Sequence, residues 1–437
     1  MALAGLTLPQ MSAFHPPYAG EGSLDPMGLG ALSDRLADRL LPGLRARMQR
    51  IRFVTSMAVA ATACEDLADE IPHDEISTPA ICFEWLVVEA FVRKEPDNGS
   101  LQGVPGTRKA RGAIARGERL AAATYLKAPR VFGFNGVYKP FAVDAGVVGE
   151  ELEPGPRCAE LVRAWEADQG LTGFVDGVPN TSGRSLRRTI RESVRDALRA
   201  GRCTTSPASR LFTRLRQALH PAEAGARERQ LLRELVTAED HSTRAELAQH
   251  LVDLPDGLTA DDVTEAQWLA TVRPHCSQQL RAVVDAVVAY EEFAALLDTA
   301  FRSLCAASHA MGTQPLRPER VDAHEVITLG AQKAPDLYDR AAQRMAAIGA
   351  DNDLEDRLGE FGIPRPPSEF VELLLQHHEQ VQARKLPHGK RSWFEPLRDG
   401  WVIRPPYGEA TPPQLGPWFV HPVRVEALRR FLIDTAS

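Results

Sequence analysis

The 437-residue sequence predicts a mainly α, multi-helical protein of two or three domains, closed by a small C-terminal β-hairpin or winged element. Three observations carry that reading. Apolar residues recur at helical spacing along most of the chain. Turn-rich stretches at 170–183 and 347–367 interrupt the pattern. Only "RSWFEPLRDGWVIRPPY", residues 391–407, has the alternation and the central Asp-Gly pair of a hairpin. The expected organisation is an irregular arm over 1–24, a helical domain with a basic Gly-rich loop over 25–180, a second helical domain over 181–350, and the hairpin with a last helix over 351–437.

The first helix is announced by Leu29, Leu32, Leu36 and Leu40 and stopped by Pro42-Gly43. Further helical stretches are expected near 44–70, 79–94, 111–126, 157–169, 184–200 and 206–219. Others are expected near 225–253, 275–307, 319–347, 367–385 and 423–434. Within the first of these, "FVTSMAVAATAC" (53–64) is Ala-rich and too short to cross a bilayer, so it reads as a buried helix. The N-terminus lacks the basic region of a secretory signal, and six cysteines at 64, 82, 158, 203, 276 and 305 show no C-x-x-C spacing. Reduced, buried thiols in a cytoplasmic protein without a membrane span are expected.

Charge is segregated. The chain carries a net −7, yet residues 93–130 hold nine basic and three acidic side chains, and residues 184–216 hold ten arginines against two acids. Arg184, Arg188, Arg191, Arg195, Arg199 and Arg202 step along one helical face, while Leu186, Ile190, Val194 and Ala197 form a separate apolar stripe. Such a helix can dock by its apolar face and offer planar guanidinium groups to phosphates. The expected phosphate contacts are Arg45, Arg47, Arg108, Lys109, Arg111, Lys127, Arg130, Lys139, Arg184, Arg188, Arg191 and Arg195. The competing reading is a solvated helix whose arginines pair with some of the chain's 58 acids.

Most motif-borne chemistry is missing. "GVPGTRKARG" lacks the Lys-Ser/Thr pair of a phosphate loop, "HEVIT" (324–328) lacks a second histidine, and His377 and His378 are adjacent and so face different ways. No metal and no cofactor are expected. "HGKRSWFE" (388–395) resembles the His-Lys-Asp motif of phospholipase D-type nucleases, with Glu395 in place of the aspartate and one copy instead of two. The downstream Gly-Ser and Asn of that family are missing, so the stretch reads as a basic turn before the hairpin, with a phosphodiesterase using His388 and Lys390 as the alternative.

Hydrolysis of an N-glycosidic bond needs neither metal nor nucleotide. A flipped base is held by aromatics and amides while a carboxylate stabilises the oxocarbenium-like sugar or activates water. In "FGFNGVYKPFAVDAG" (132–146), Phe132, Phe134, Tyr138 and Phe141 are candidates to stack a base, Asn135 to bond its edge, and Asp144 to serve as carboxylate. Glu84, in the apolar "PAICFEWLVVEAFVRK" (79–94), is the second carboxylate, beside Trp85, which with Phe134 and Tyr138 makes up the expected base pocket. Each has a structural alternative. Phe134, Tyr138 and Phe141 fall at i, i+4 and i+7, the spacing of a core face, and a buried glutamate commonly pairs with an arginine.

The stretches "LDPMGLGALSDRLADRLLPGLRARMQRIRF" (24–53), "FGFNGVYKPFAVDAG" and "FVHPVRVEALRRFLID" (419–434) resemble uncharacterised bacterial proteins of phage-defence loci. The chain also resembles antiphage DNA glycosylases that excise modified bases. That resemblance implies a DNA-acting defence protein, a monofunctional glycosylase removing a bulky modified base, such as a glucosylated cytosine, without metal or cofactor. The alternatives are a non-enzymatic DNA-binding or adaptor protein and the phosphodiesterase.

Overall fold

The computed structural model describes residues 25–95, 101–239, 242–254, 258, 262–321, 324–385, 389–411, 413–416 and 418–436. The expected arm over 1–24, part of the Gly-rich loop and His388 lie outside the described residues. The protein is mainly α, with eighteen α-helices and one two-stranded antiparallel sheet among the described residues. No described helix is long and apolar enough to cross a membrane. All six cysteines are free and buried.

The chain forms two compact units, one of Asp34–Asp285 with Pro422 onward, the other of the residues up to Ser33 with Ala286–His421. The division falls inside α1 (Gly30–Leu40) and α13 (Gln278–Met311), not near 180 and 350.

The larger unit is built on α2 (Phe53–Cys64) and α3 (Pro79–Lys94). All twelve residues of α2 are buried, as its small side chains and lack of any charge require of a helix surrounded on every side. Helix α3 starts where Thr78 accepts the Ile81 N–H and Pro79 takes the first position. Around this pair lie α4 (Thr107–Ala115), α5 (Pro129–Phe132), α6 (Phe134–Asp144), α7 (Cys158–Asp168), α8 (Ser182–Ala200) and α9 (Arg210–Leu219). Then come α10 (Ala226–Val236), α11 (Ser242–Asp253) and α12 (Glu265–Val272). Arg52 and Glu228, both buried, pair at 2.8 Å, and Arg52 also donates to Ala218 O at 2.9 Å.

Two expected helices are shorter than their pattern. Over 44–52 the chain is turns, because Tyr138 Oη accepts the Gln49 and Arg50 N–H groups at 2.8 Å and Asp434 accepts that of Ile51 at 3.2 Å. Over 116–126 buried Glu89 takes over, accepting the Arg119 guanidinium at 2.7 Å and the Leu120 N–H at 3.1 Å. Long-range partners here outbid local propensity.

The smaller unit holds α14 (Pro318–Val321), α15 (Glu325–Ala346), α16 (Leu354–Leu358), α17 (Pro367–Ala383) and the hairpin β1 (Phe394–Leu397) and β2 (Gly400–Ile403). The turn is Arg398-Asp399, with φ +56° at Arg398, one residue ahead of the Asp-Gly pair. Gly400 opens β2 because a Cβ there would collide with the Leu316 carbonyl oxygen, and Leu316 and Trp401 exchange backbone hydrogen bonds at 2.7 and 3.0 Å. Buried His378 receives the Trp393 N–H on Nε2 at 3.0 Å, so its Nδ1 carries the hydrogen donated to Pro26 O at 2.9 Å. The terminal helix α18 (Val425–Asp434) belongs to the larger unit, where Phe431 packs on Phe141 at 5.5 Å.

Candidate functional site

The larger unit contains a cavity of about 610 Å³. Its lining includes Cys64, Thr78, Arg130, Asn135, Lys139 and Glu153. It carries both signs of charge, and Lys139 pairs with Glu150, also in the lining, at 3.0 Å. Burial pushes the Cys64 thiol up to about 12, so it is no nucleophile at neutral pH.

Behind the cavity wall lies Glu84, fully buried on α3. Its Oε2 accepts the Asn135 backbone N–H at 3.1 Å and the Asn135 side-chain amide at 3.0 Å, and its Oε1 accepts the Tyr125 hydroxyl at 2.8 Å. The carboxyl thus sits at the N-terminus of α6, whose unpaired N–H groups favour negative charge. Gly133 makes the approach possible, since a Cβ there would overlap the Glu84 carboxylate. Burial nevertheless raises the Glu84 pKa to about 7 against these donors. Protonated, Glu84 can donate to the Tyr125 oxygen, whose own hydrogen can turn to Pro105 O, 3.4 Å away. The group can hold a proton near neutrality without touching solvent.

Of the three catalytic candidates, two are brought together: Glu84 and Asn135. Asn135 lines the cavity, with its amide also donating to Ala80 O at 3.0 Å, whereas Glu84 acts only through it. Asp144 lies at the far end of α6, beneath Gly43, and pairs at 2.9 Å with Arg244, which is buried and also bonds Leu235, Val236 and Pro42 carbonyls. Nine residues of helix, about 13 Å, separate Asp144 from Asn135. The expected base pocket is core: Phe134, Tyr138 and Trp85 are fully buried, with Phe134 stacked on Phe53 at 5.1 Å, and none lines the cavity. Of the aromatics in 132–146, Phe132 alone is exposed, with the Arg47 guanidinium 4.7 Å above its ring. Tyr125 and Gly133 were not singled out by sequence; nothing in their spacing ties them to Glu84.

The basic residues divide. In α8 the apolar stripe is buried as expected, and Gly201 ends the helix at φ +62°. Arg191 pairs with Asp66 at 3.1 Å and Arg195 with Glu70 at 2.9 Å, so an acidic run at 65–70 occupies the middle of the stripe. Arg184, Arg188 and Arg202 are exposed, as are Arg108, Lys109, Lys127 and Arg130, while Arg111 is half-buried. Arg45 is paired with Asp38. An antiparallel bridge joins Ala121 to Arg202, and Cys203 donates its N–H to Leu120 O at 2.8 Å, so the two basic segments meet there. In the smaller unit, Glu395 of the His-Lys-Glu stretch lies 3.4 Å from Arg391 and 3.8 Å from Arg404.

Comparison with protein-family models, with curated proteins and with solved structures finds no match to this chain.

Proposed function

We propose that the larger unit binds the sugar–phosphate backbone of DNA. The observation that carries this reading is the Ala121–Arg202 bridge, which joins two basic segments some eighty residues apart in a chain of net −7. Arg184, Arg188 and Arg202 supply the grip from α8 and its end, and Arg108, Lys109, Lys127 and Arg130 supply it from the first segment. Exposed Phe132 beneath Arg47 offers a face on which an unpaired base can stack. The antiviral setting rests on the resemblance alone.

A second reading, excision of a base by N-glycosidic hydrolysis, is favoured by Asn135. Its amide is fixed by a buried carboxyl and opens on a cavity large enough for a nucleoside. Asn135 would contact the substrate, and Glu84 and Tyr125 would position it.

Fluorescence anisotropy with a labelled duplex and a single strand, between 50 and 200 mM salt, tests the first reading. Affinity should fall steeply with salt, and the triple variant Arg184→Glu/Arg188→Glu/Arg202→Glu should weaken binding across all sequences. Absence of binding at 50 mM salt would sink it. Strand breaks that appear only after alkali, on DNA carrying modified bases, are required by the second reading.

A further inference from the structure

A cluster remote in sequence from the cavity has metal-ligand chemistry. Glu246 and His250 stand one turn apart on α11, so their side chains share a face. Cys276, just before α13, brings its sulfur to the same point: one ligand atom from each of the three lies within 4.8 Å of the others. Glu246 Oε1 and His250 Nε2 are already 3.4 Å apart. With bonds of roughly 2.0–2.3 Å, a tetrahedral zinc site spaces its ligand atoms about 3.3–3.7 Å apart, so no pair needs to close by more than about 1.5 Å. A fourth donor can be drawn in from the next residue: exposed His275 lies outside the three-residue group, its ring centre 6.4 Å from that of His250, and has to turn inward to ligate. The cluster is not a casual surface group. Cys276 is 4 % exposed, Glu246 and His250 are half-buried, and Glu246 is oriented by the Ser277 N–H at 2.6 Å and hydroxyl at 2.7 Å. Such outer hydrogen bonds are what hold a carboxylate ligand in place.

We propose that Glu246, His250 and Cys276, completed by His275, form a binding site for a zinc-class divalent transition metal. A carboxylate and a thiolate balance the dication, and two neutral imidazoles add no charge. Mixed sulfur, nitrogen and oxygen donors suit Zn²⁺ and do not suit Mg²⁺ or Ca²⁺. With four protein ligands the site is closed and structural, clamping α11 to the turn before α13 within the larger unit. Binding forms the metal–sulfur bond as the Cys276 thiol gives its proton to solvent, one proton per metal. The sequence concealed the set because no short motif spans it: Cys276 follows His250 by 26 residues, and only the fold closes that distance.

Chelator-treated full-length protein, titrated with Co²⁺ as the spectroscopic probe, is the test. One Co²⁺ per chain should bind, with a near-ultraviolet thiolate-to-cobalt band and visible bands of tetrahedral intensity, all removed by Zn²⁺. Cys276→Ser should abolish the near-ultraviolet band. His250→Gln and His275→Gln should each weaken binding at least about tenfold while leaving the metal-free circular dichroism unchanged. No thiolate band in the wild-type protein at saturating Co²⁺ overturns the proposal. So does a band unaltered in Cys276→Ser, which would assign it to another of the six cysteines. Should that variant misfold, undiminished affinity in folded His250→Gln decides against the site equally.

Discussion

Asn135 is fastened to Glu84 twice, its backbone N–H and its side-chain amide donating to the same carboxyl oxygen at 3.1 and 3.0 Å. One acid thereby sets both the start of α6 and the orientation of the amide that faces the cavity. Burial holds that acid's pKa near 7. In the unfolded chain Glu84 loses its proton near 4.5, while the folded protein keeps it to about 7. The folded state binds the extra proton between these values, so the stability contributed by this group is fully present below pH 4.5 and is lost as pH rises to 7. In urea unfolding, the wild type should lose a few kcal/mol relative to Glu84→Gln between pH 4.5 and pH 8. Parallel curves would show that Glu84 ionises normally.

The acidic run beside α8 predicts the behaviour of Arg191 and Arg195. Their partners are the carboxylates that a phosphate must displace. In the double variant Asp66→Asn/Glu70→Gln the two guanidiniums are released, DNA affinity should rise, and the slope of log K against log salt should steepen by roughly 0.9 for each new phosphate contact. Stability should change little, because half-exposed pairs of this kind contribute about 0–1 kcal/mol. An unchanged salt slope in a folded variant would confine Arg191 and Arg195 to a structural role.

His378 predicts an acid sensitivity of the smaller unit. Burial lowers its pKa to about 4, and its two ring nitrogens are committed to Pro26 O and the Trp393 N–H, an arrangement only the neutral ring can make. Unfolding lets it take up a proton below its ordinary value of 6.5. Stability from this group is therefore present above pH 6.5 and lost as pH falls to 4. His378→Leu should cost about 1–3 kcal/mol at pH 7.5, chiefly from the stranded Trp393 N–H, since Gln382 still donates to Pro26 O at 3.2 Å, yet lose less between pH 6.5 and 4 than the wild type. Equal losses in that window, measured by urea unfolding, would mean that another group titrates.

What the sequence disclosed was local. The arginine and apolar stripes of α8, the Ala-rich α2 and the hairpin each depend on neighbours within a few residues, and each is present. The turns at 44–52 and 116–126 depend on Tyr138, Asp434 and Glu89, partners tens to hundreds of residues away, so their helical patterns misled. The same holds for the site. Glu84 was legible as a carboxyl in apolar company, and Asn135 as a polar residue among aromatics. Their mutual contact needed α6 to start against α3, with Gly133 at the junction. Asp144 carried the same chemical promise but is held by Arg244, a hundred residues on. The aromatic spacing admitted both a core and a base pocket, and the burial of Phe134 and Tyr138 settles it for the core.

The missing side chain of Gly400 also fixes how the smaller unit ends its sheet. Two strands of four residues are marginal alone, and an open strand edge is a template for pairing with other molecules. By letting the Leu316 backbone close on Trp401, Gly400 converts one outer edge of the hairpin into an inner one. Any larger residue would prise that backbone away and return the edge to solvent. A Gly400→Val protein is therefore expected to self-associate, a change that light scattering would detect first; a monodisperse variant would show that the edge stays closed.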